Sequence, residues 1–268
     1  ELAKSEKITW YSGVPTMHQT IMLRAEKNLE LAKNLNLRLV RSSSASLPPA
    51  VFEKLNKVFN CPVIEAYGMT EATHQMTSNP LPPKKQKAGF VGIPAGPEVA
   101  IMDDNYKIMK IGEVGEICIK GNNVTSGYEN NTEANKTNFS NGWFRTGDQG
   151  FFDEDGYLKI SGRLKEIINK GGEKISPLEV DNVLMDHPSI EQAVCFGYED
   201  KMLGEDIATA IILKEGINLS EADLKIYTKE KLAKFKIPKK IFFVTEIPKG
   251  ATGKLQRNVL AKKFGLNN

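Results

Sequence analysis

Cys61-Pro-Val-Ile-Glu-Ala-Tyr-Gly-Met-Thr-Glu-Ala-Thr73 is the stretch that decides the fold. Its first seven residues read as a strand, and Gly68 opens a turn at the carboxyl end of that strand. Two similar segments precede it. Ile8-Thr-Trp-Tyr11 leads into a helix over Val14 to Leu23, and Leu37-Arg-Leu-Val-Arg41 leads through Ser42-Ser-Ser-Ala-Ser46 into a helix that Pro48 and Pro49 start and that runs through Phe59. Alternating strands and helices imply part of a parallel α/β sheet, in which ligands collect at the carboxyl ends of the strands.

The turn carries the right chemistry for a nucleotide. Tyr67 offers a flat ring to a purine, Gly68 lets a ligand approach the backbone, Thr70 can donate to a phosphate oxygen, and Glu71 is a hard oxygen ligand for Mg²⁺. The same residues also suit an ordinary strand-to-helix turn capped by Thr70.

The chain has 268 residues, 40% of them hydrophobic and 26% charged, enough for one large or two modest cores and too apolar for a disordered segment. No apolar run approaches the ~20 residues of a membrane span, and residues 1 to 7 carry no signal-peptide pattern. Cys61, Cys118 and Cys195 stand far apart without a C-x-x-C pair, which reads as buried reduced thiols in a cytosolic setting. The net charge is +3, unevenly spread: residues 1 to 161 hold 18 basic and 18 acidic side chains, residues 224 to 268 hold 12 and 2. A basic end of this kind suits nucleic acid, a membrane surface, a phosphorylated small ligand, or plain solvation of a helix face.

From Gly92 the pattern changes to short alternating strands, Val99 to Met102, Gly115 to Lys120 and Gly156 to Ile160, separated by Gly and Asp-Gly turns. They are expected to pair antiparallel in a small sheet or β-barrel. Beyond Lys165 it changes again, to a helix over Pro177 to Met185, strands over Ala193 to Phe196 and Asp206 to Leu213, a helix over Ser220 to Lys234 with a capping box at Ser220-Glu-Ala-Asp223, and a strand over Ile241 to Thr245. The expected architecture is α/β plus α+β, with residues 1 to 164 in the large domain and 165 to 268 in a small lid domain.

Four further segments bear on function. Asn141-Gly-Trp-Phe-Arg-Thr-Gly-Asp148 ends on an acid suited to both hydroxyls of a ribose, or to its own turn backbone. Gly162-Arg163 supplies a fixed cationic fork, as an exposed salt-bridged arginine would. Asn169-Lys-Gly-Gly-Glu-Lys-Ile-Ser-Pro177 lets a thin ligand pass its glycines, or is plain punctuation between elements. Pro248-Lys-Gly-Ala-Thr-Gly-Lys-Leu-Gln-Arg257 presents Lys254 from a turn, but Leu255 after that lysine excludes a P-loop.

In this order the segments resemble the adenylate-forming acyl-CoA synthetases, a family that also includes firefly luciferase and peptide-synthetase adenylation domains. The resemblance runs over essentially the whole chain. It rests on Glu65 to Glu71, Gly142 to Asp148, Gly162-Arg-Leu-Lys-Glu-Ile-Ile168, Gly171-Gly-Glu-Lys-Ile-Ser-Pro177 and Thr252-Gly-Lys254. It implies a two-step ligation, in which a carboxylate attacks the α-phosphate of ATP to give an acyl-adenylate and pyrophosphate, and coenzyme A then displaces AMP. By position, Ala45, Ser46, Glu65, Ala66 and Tyr67 would line the adenine, Gly68 would let the cofactor approach the backbone, Thr70 would contact the α-phosphate and Glu71 would hold Mg²⁺. Asp148 and Arg163 would bind the ribose, and Lys254 would bridge carboxylate and α-phosphate. Lys165 matches the family's hinge, about which Lys254 would leave and the Gly171-Gly172 loop would enter to admit the pantetheine of coenzyme A.

Two departures stand out. The family's phosphate loop, of the kind Thr-Ser-Gly-Thr-Thr-Gly-x-Pro-Lys-Gly, has no counterpart in residues 1 to 268, so the chain is expected to correspond to the C-terminal half of a larger enzyme and to form no adenylate alone. Asn169 stands where some relatives carry a functional lysine, with Lys170 or Lys174 as the neighbouring substitutes. Within the family the chain resembles the oxalate-activating CoA synthetases of yeast and plants, through Val14-Pro-Thr-Met-His-Gln19, Arg41 to Ser46, Glu71 to Pro80 and Gly171 to Pro177. An imidazole at His74 with Ser43 and Ser44 suits the second carboxylate of a small diacid, whereas His18 reads as structural. A medium-chain or 4-coumarate-type acid is the alternative substrate, and a nucleotide-binding module without turnover the alternative class. Sparse aromatics in the basic end speak against nucleic acid, and the end Phe264 to Asn268 lacks a Ser-Lys-Leu address, which leaves the cytoplasm as the expectation.

Overall fold

The computed structural model describes residues 2–250 and 255–266. Thr252, Gly253 and the expected catalytic Lys254 lie outside the described residues. The chain divides into two compact units, Glu1–Ile160 and Ser161–Asn268, so the division falls four residues ahead of the expected start at Lys165.

The first unit opens with α1 (Leu2–Ser5), β1 (Trp10–Gly13), α2 (Pro15–Glu26), α3 (Leu29–Lys33), β2 (Leu39–Ser42), α4 (Pro49–Phe59) and β3 (Val63–Met69). Strands β1, β2 and β3 are parallel neighbours, with Gly13, Ser42 and Glu65 in one row across the sheet. Helix α4 shows why the sequence folds this way: Pro49 pre-sets its first turn, Val51, Phe52, Leu55, Val58 and Phe59 form one buried stripe, and Asn60 ends it in the left-handed conformation at φ 47°. That stripe packs with Met22 of α2 on Val40 and Val63 of the sheet, each large side chain contributing about 1.5–3 kcal/mol by burial.

After β3 the helix of the alternative reading, a strand-to-helix turn capped by Thr70, does not form. Thr70–Ala72 make one 3₁₀ turn, and the chain returns as β4 (His74–Ser78), antiparallel to β3, with β5 (Ile93–Pro94) beside it. The physical cause lies in the backbone: Thr73 and His74 both sit at positive φ, 51° and 87°, which turns the chain back on itself where a helix would carry it onward.

Strands β6 (Glu98–Met102) and β7 (Gly115–Lys120), helix α5 (Thr132–Asn138), and strands β8 (Phe139–Ser140), β9 (Trp143–Phe152) and β10 (Leu158–Arg163) follow. Of the expected small sheet or β-barrel, the described residues show an open antiparallel sheet, with path β10-β9-β7-β6 and β8 on β9, in which no pairing returns from β6 to β10. Ile117, Ile119, Phe144 and Leu158 fill its core with Tyr67 and Met76 of the preceding hairpin.

The second unit holds β11 (Ile168–Lys170), β12 (Glu173–Ile175), α6 (Pro177–Met185), β13 (Ile190–Asp200), β14 (Gly204–Leu213), α7 (Glu221–Lys231), β15 (Lys240–Phe243) and α8 (Leu260–Lys263). Its sheet runs β12-β11-β14-β13, with β15 parallel to β14. Along β13, Ala193 and Cys195 enter the core under α6 and α7, while Val194 and Phe196 enter a second core with Leu260 of α8, so the strand is buried on both faces. Helix α7 is shorter than expected; Ser220 caps it by accepting from the Asp223 N–H at 3.1 Å.

Candidate active site

In the first unit the sequence-predicted residues gather on the β2 and β3 loops and on β9. Thr70 is exposed on the 3₁₀ turn. Next to it, Glu71 is gripped from two sides: its Oε1 accepts the Tyr128 hydroxyl at 2.8 Å and its carbonyl accepts the Thr125 N–H at 2.7 Å. Burial, reinforced by the Glu71 carboxylate, pushes the Tyr128 phenol up to about 12, so it remains a donor at neutral pH. Asn123 supports the same turn by donating to the Ala72 carbonyl at 2.8 Å and accepting Thr73 Oγ1 on its own carbonyl.

Asp148 is not a turn aspartate. It lies within β9, where the register with β7 shifts between Glu116 and Cys118, and such irregularities re-aim a side chain. Glu116 stabilises the shift, taking the Gly147 N–H at 2.9 Å on one oxygen and Arg145 Nε at 2.5 Å on the other. The Asp148 carboxylate accepts the Tyr67 hydroxyl at 2.6 Å. Tyr67 is therefore occupied: its ring is 9% exposed within the core, and its clearest recorded task is to orient Asp148.

Glu65 and Gly68 each have a task within the fold. Glu65 is 2% exposed, as its neighbour Ala66 is 4%. Its Oε1 accepts the Leu47 N–H at 2.8 Å and so ties the Ser43-to-Leu47 loop to β3 from beneath. Burial pushes this carboxyl up to about 8, against the opposing pull of the Leu47 N–H. At Gly68 the space a Cβ would need is filled by the His74 carbonyl, so the β3–β4 hairpin itself requires glycine here.

On the Ser42-to-Ser46 loop, Ser44 and Ala45 are exposed, Ser46 is half-buried, and Ser43 is buried with its Oγ accepting from Arg41 at 3.0 Å. His74 is exposed at the start of β4, and its side chain makes no hydrogen bond with Ser43 or Ser44. His18 is structural: it is fully buried, its Nδ1 faces the Tyr11 hydroxyl at 3.3 Å, and burial lowers its pKa to about 4, so it is neutral.

In the second unit Arg163 is exposed at the end of β10 and Lys165 on the turn that follows it. Gly171 and Gly172 form the two-residue loop of the β11–β12 hairpin, both at positive φ, 59° and 92°, which accounts for the glycine pair. A Cβ at Gly172 would meet nothing within 4 Å, so the loop is open on that side. Lys170 is held by Asp206 at 2.6 Å, which leaves exposed Lys174 as the available cation beside Asn169. Around position 254 the flanks are fixed: Gln256 N donates to the Pro248 carbonyl at 2.9 Å, and Lys249 pairs with Leu255. Arg257 anchors this end to Asp181 at 2.7 Å, to Glu166 at 3.1 Å and to the Cys195 carbonyl.

The sequence reading missed Tyr128, Glu116 and Arg257. Only spatial neighbours reveal them, since each acts on a residue 29 to 91 positions away.

Residues 1–129 match the model of the AMP-binding enzyme family, and residues 179–254 match the AMP-binding enzyme C-terminal domain. The chain is 50% identical over 262 residues to an oxalate–CoA ligase of Arabidopsis thaliana, covering 97% of this chain and 51% of the relative. It is 52% identical over 257 residues to an oxalate–CoA ligase of Saccharomyces cerevisiae, covering 95% and 47%. ATP-bound MatB from Rhodopseudomonas palustris superposes with a TM-score of 0.88 at 32% identity, over 96% of this chain and 51% of that one. The chain thus spans about half the length of the relatives it matches, and these matches place it in the family of AMP-binding enzymes.

Proposed function

We propose that this chain serves an ATP-dependent acid–thiol ligase that joins oxalate, or another small carboxylic acid, to coenzyme A. The acid's oxygen attacks the α-phosphorus of ATP and pyrophosphate leaves; the thiol of coenzyme A then attacks the acyl carbon, loses its proton and expels AMP. The observation that carries this reading is the Glu71 carboxylate, locked by Tyr128 beside the exposed hydroxyl of Thr70. Such a pair suits a phosphate and its counter-cation.

Within this reading Ala45 and Ser46 border the adenine, with Glu65, Ala66, Tyr67 and Gly68 shaping the floor beneath it. Thr70 donates to the α-phosphate, and Asp148 and Arg163 take the ribose hydroxyls. Lys254 neutralises charge at the α-phosphate, Lys165 is the pivot, and Gly171 and Gly172 line the way for pantetheine. Glu71 would hold Mg²⁺, a hard cation that prefers oxygen ligands. When bound, Mg²⁺ would withdraw charge from the phosphates. Ser43, Ser44 and His74 face the acid, and the oxalate–CoA ligases at 50% and 52% identity support a diacid there.

The test is ATP–pyrophosphate exchange by the full-length enzyme over a panel of carboxylates. Oxalate is expected to support exchange, and Glu71→Ala to abolish it; a panel in which no acid supports exchange overturns the proposal. His74→Ala is expected to raise KM for oxalate about tenfold while KM for ATP stays within twofold, and equal rises in both would remove His74 from the acid site.

A further inference from the structure

Among the described residues no acid answers the charge of Arg41. On β2, Val40 points into the helical layer with α2 and α4, so strand alternation puts Arg41 on the opposite face of the sheet. There its Nη1 donates to Ser43 Oγ at 3.0 Å and to Ser12 Oγ at 3.2 Å, on the end of neighbouring β1. Both partners are neutral, and among the described residues no carboxylate pairs with this guanidinium. It is half-buried, and desolvation is the one influence on its ionisation, with no acid offsetting it. A desolvated cation with neutral neighbours calls for an anion.

The hydrogen bond to Ser43 adds a second consequence. A hydroxyl oxygen that accepts from a guanidinium keeps its own proton to give elsewhere, so Ser43 is set as a donor toward an acceptor. Ser44, by contrast, is exposed and makes no hydrogen bond with Arg41.

We infer that Arg41 is a specificity-determining residue, which fixes Ser43 as a hydrogen-bond donor and supplies the positive charge that selects an acid bearing a second anionic group over a monocarboxylate. The inference rests on the ligase reading above, in which Ser43 faces the acid. It assigns the polarity of the acid pocket to the β1–β2 strand ends, with Ser12 bracing the guanidinium from the far side.

The experiment measures ATP–pyrophosphate exchange by the full-length enzyme with oxalate and with butyrate, for wild type, Arg41→Met, Arg41→Lys and the double variant Arg41→Met/Ser43→Ala. For Arg41→Met the oxalate-to-butyrate ratio of kcat/KM is expected to fall at least tenfold, through KM for oxalate rather than kcat. Arg41→Lys should recover part of that ratio, because it keeps the charge but not the fork. The double variant should lose little more than Arg41→Met, because the two residues act as one unit. An unchanged ratio, equal losses for both acids, or a wild type that prefers butyrate overturns the role of Arg41 and leaves the ligase reading standing. Absence of exchange with every acid overturns the ligase reading and the inference together. Should Arg41→Met fail to fold by its melting profile, Arg41→Lys decides alone: at least a threefold fall in the ratio supports the inference, and no fall overturns it.

Discussion

Glu65 is a residue whose chemistry departs far from its exposed counterpart. Burial raises its carboxyl from an ordinary 4.5 to about 8, so between those values the folded chain holds a proton that the unfolded chain has released. Its contribution is complete below about pH 4.5 and fades as pH rises toward 8, at up to about 1.4 kcal/mol per pH unit. Glu65→Gln copies the protonated form and its acceptor for the Leu47 N–H; melting curves should show the wild type losing more stability than this variant between pH 6 and pH 9. Parallel curves would mean that the carboxyl titrates normally. Tyr128 allows a second test at this scale. Tyr128→Phe removes the bond that aims Glu71, and, as for other supports of metal ligands, the affinity for ATP in the presence of Mg²⁺ should drop about tenfold in the full-length enzyme. Retained affinity would leave Tyr128 as a packing residue.

Elements are placed by a few contacts between segments distant in sequence. The β3–β4 hairpin depends on the approach of the His74 carbonyl to Gly68, so Gly68→Ala must push two paired strands apart, at a cost of about 1–3 kcal/mol read as a lowered melting midpoint. In the second unit Arg257 joins α6, the segment after β10 and β13 through Asp181, Glu166 and the Cys195 carbonyl. Asp181 is 8% exposed and also accepts the Cys195 N–H at 2.5 Å. Arg257→Met would strand that buried carboxylate, and a loss of about 3–5 kcal/mol is expected in denaturant titration. A loss below 1 kcal/mol would show that water reaches Asp181 and takes the place of Arg257.

On the scale of the molecule, the two units have separate cores. Leu55, Phe52 and Val63 belong to the first and Leu184, Val180 and Ile207 to the second. Leu184 is fully buried, so Leu184→Ala should cost about 2–5 kcal/mol in its own unit. Calorimetry is expected to show one transition moving down while the other holds its midpoint. A common shift of a single transition would show that the units unfold together.

Local pattern alone determined a good deal here. The proline starts of α2, α4 and α6 and the Ser220 cap of α7 are written in neighbouring residues, and so are the alternating β-strands, because these preferences act within one or two turns of backbone. The motifs from Glu65 to Lys254 also carried the resemblance to a family. Tertiary structure decided the rest. Whether Thr70 begins a helix or a hairpin depended on backbone angles at Thr73 and His74 that no local preference signals. That Tyr67 holds Asp148, that Glu65 braces a loop, and that Arg41 meets only serines depended on which strands lie side by side. Local sequence sets the conformation of a segment; the pairing of distant segments sets what each polar atom bonds, and with it the charge and direction that chemistry uses.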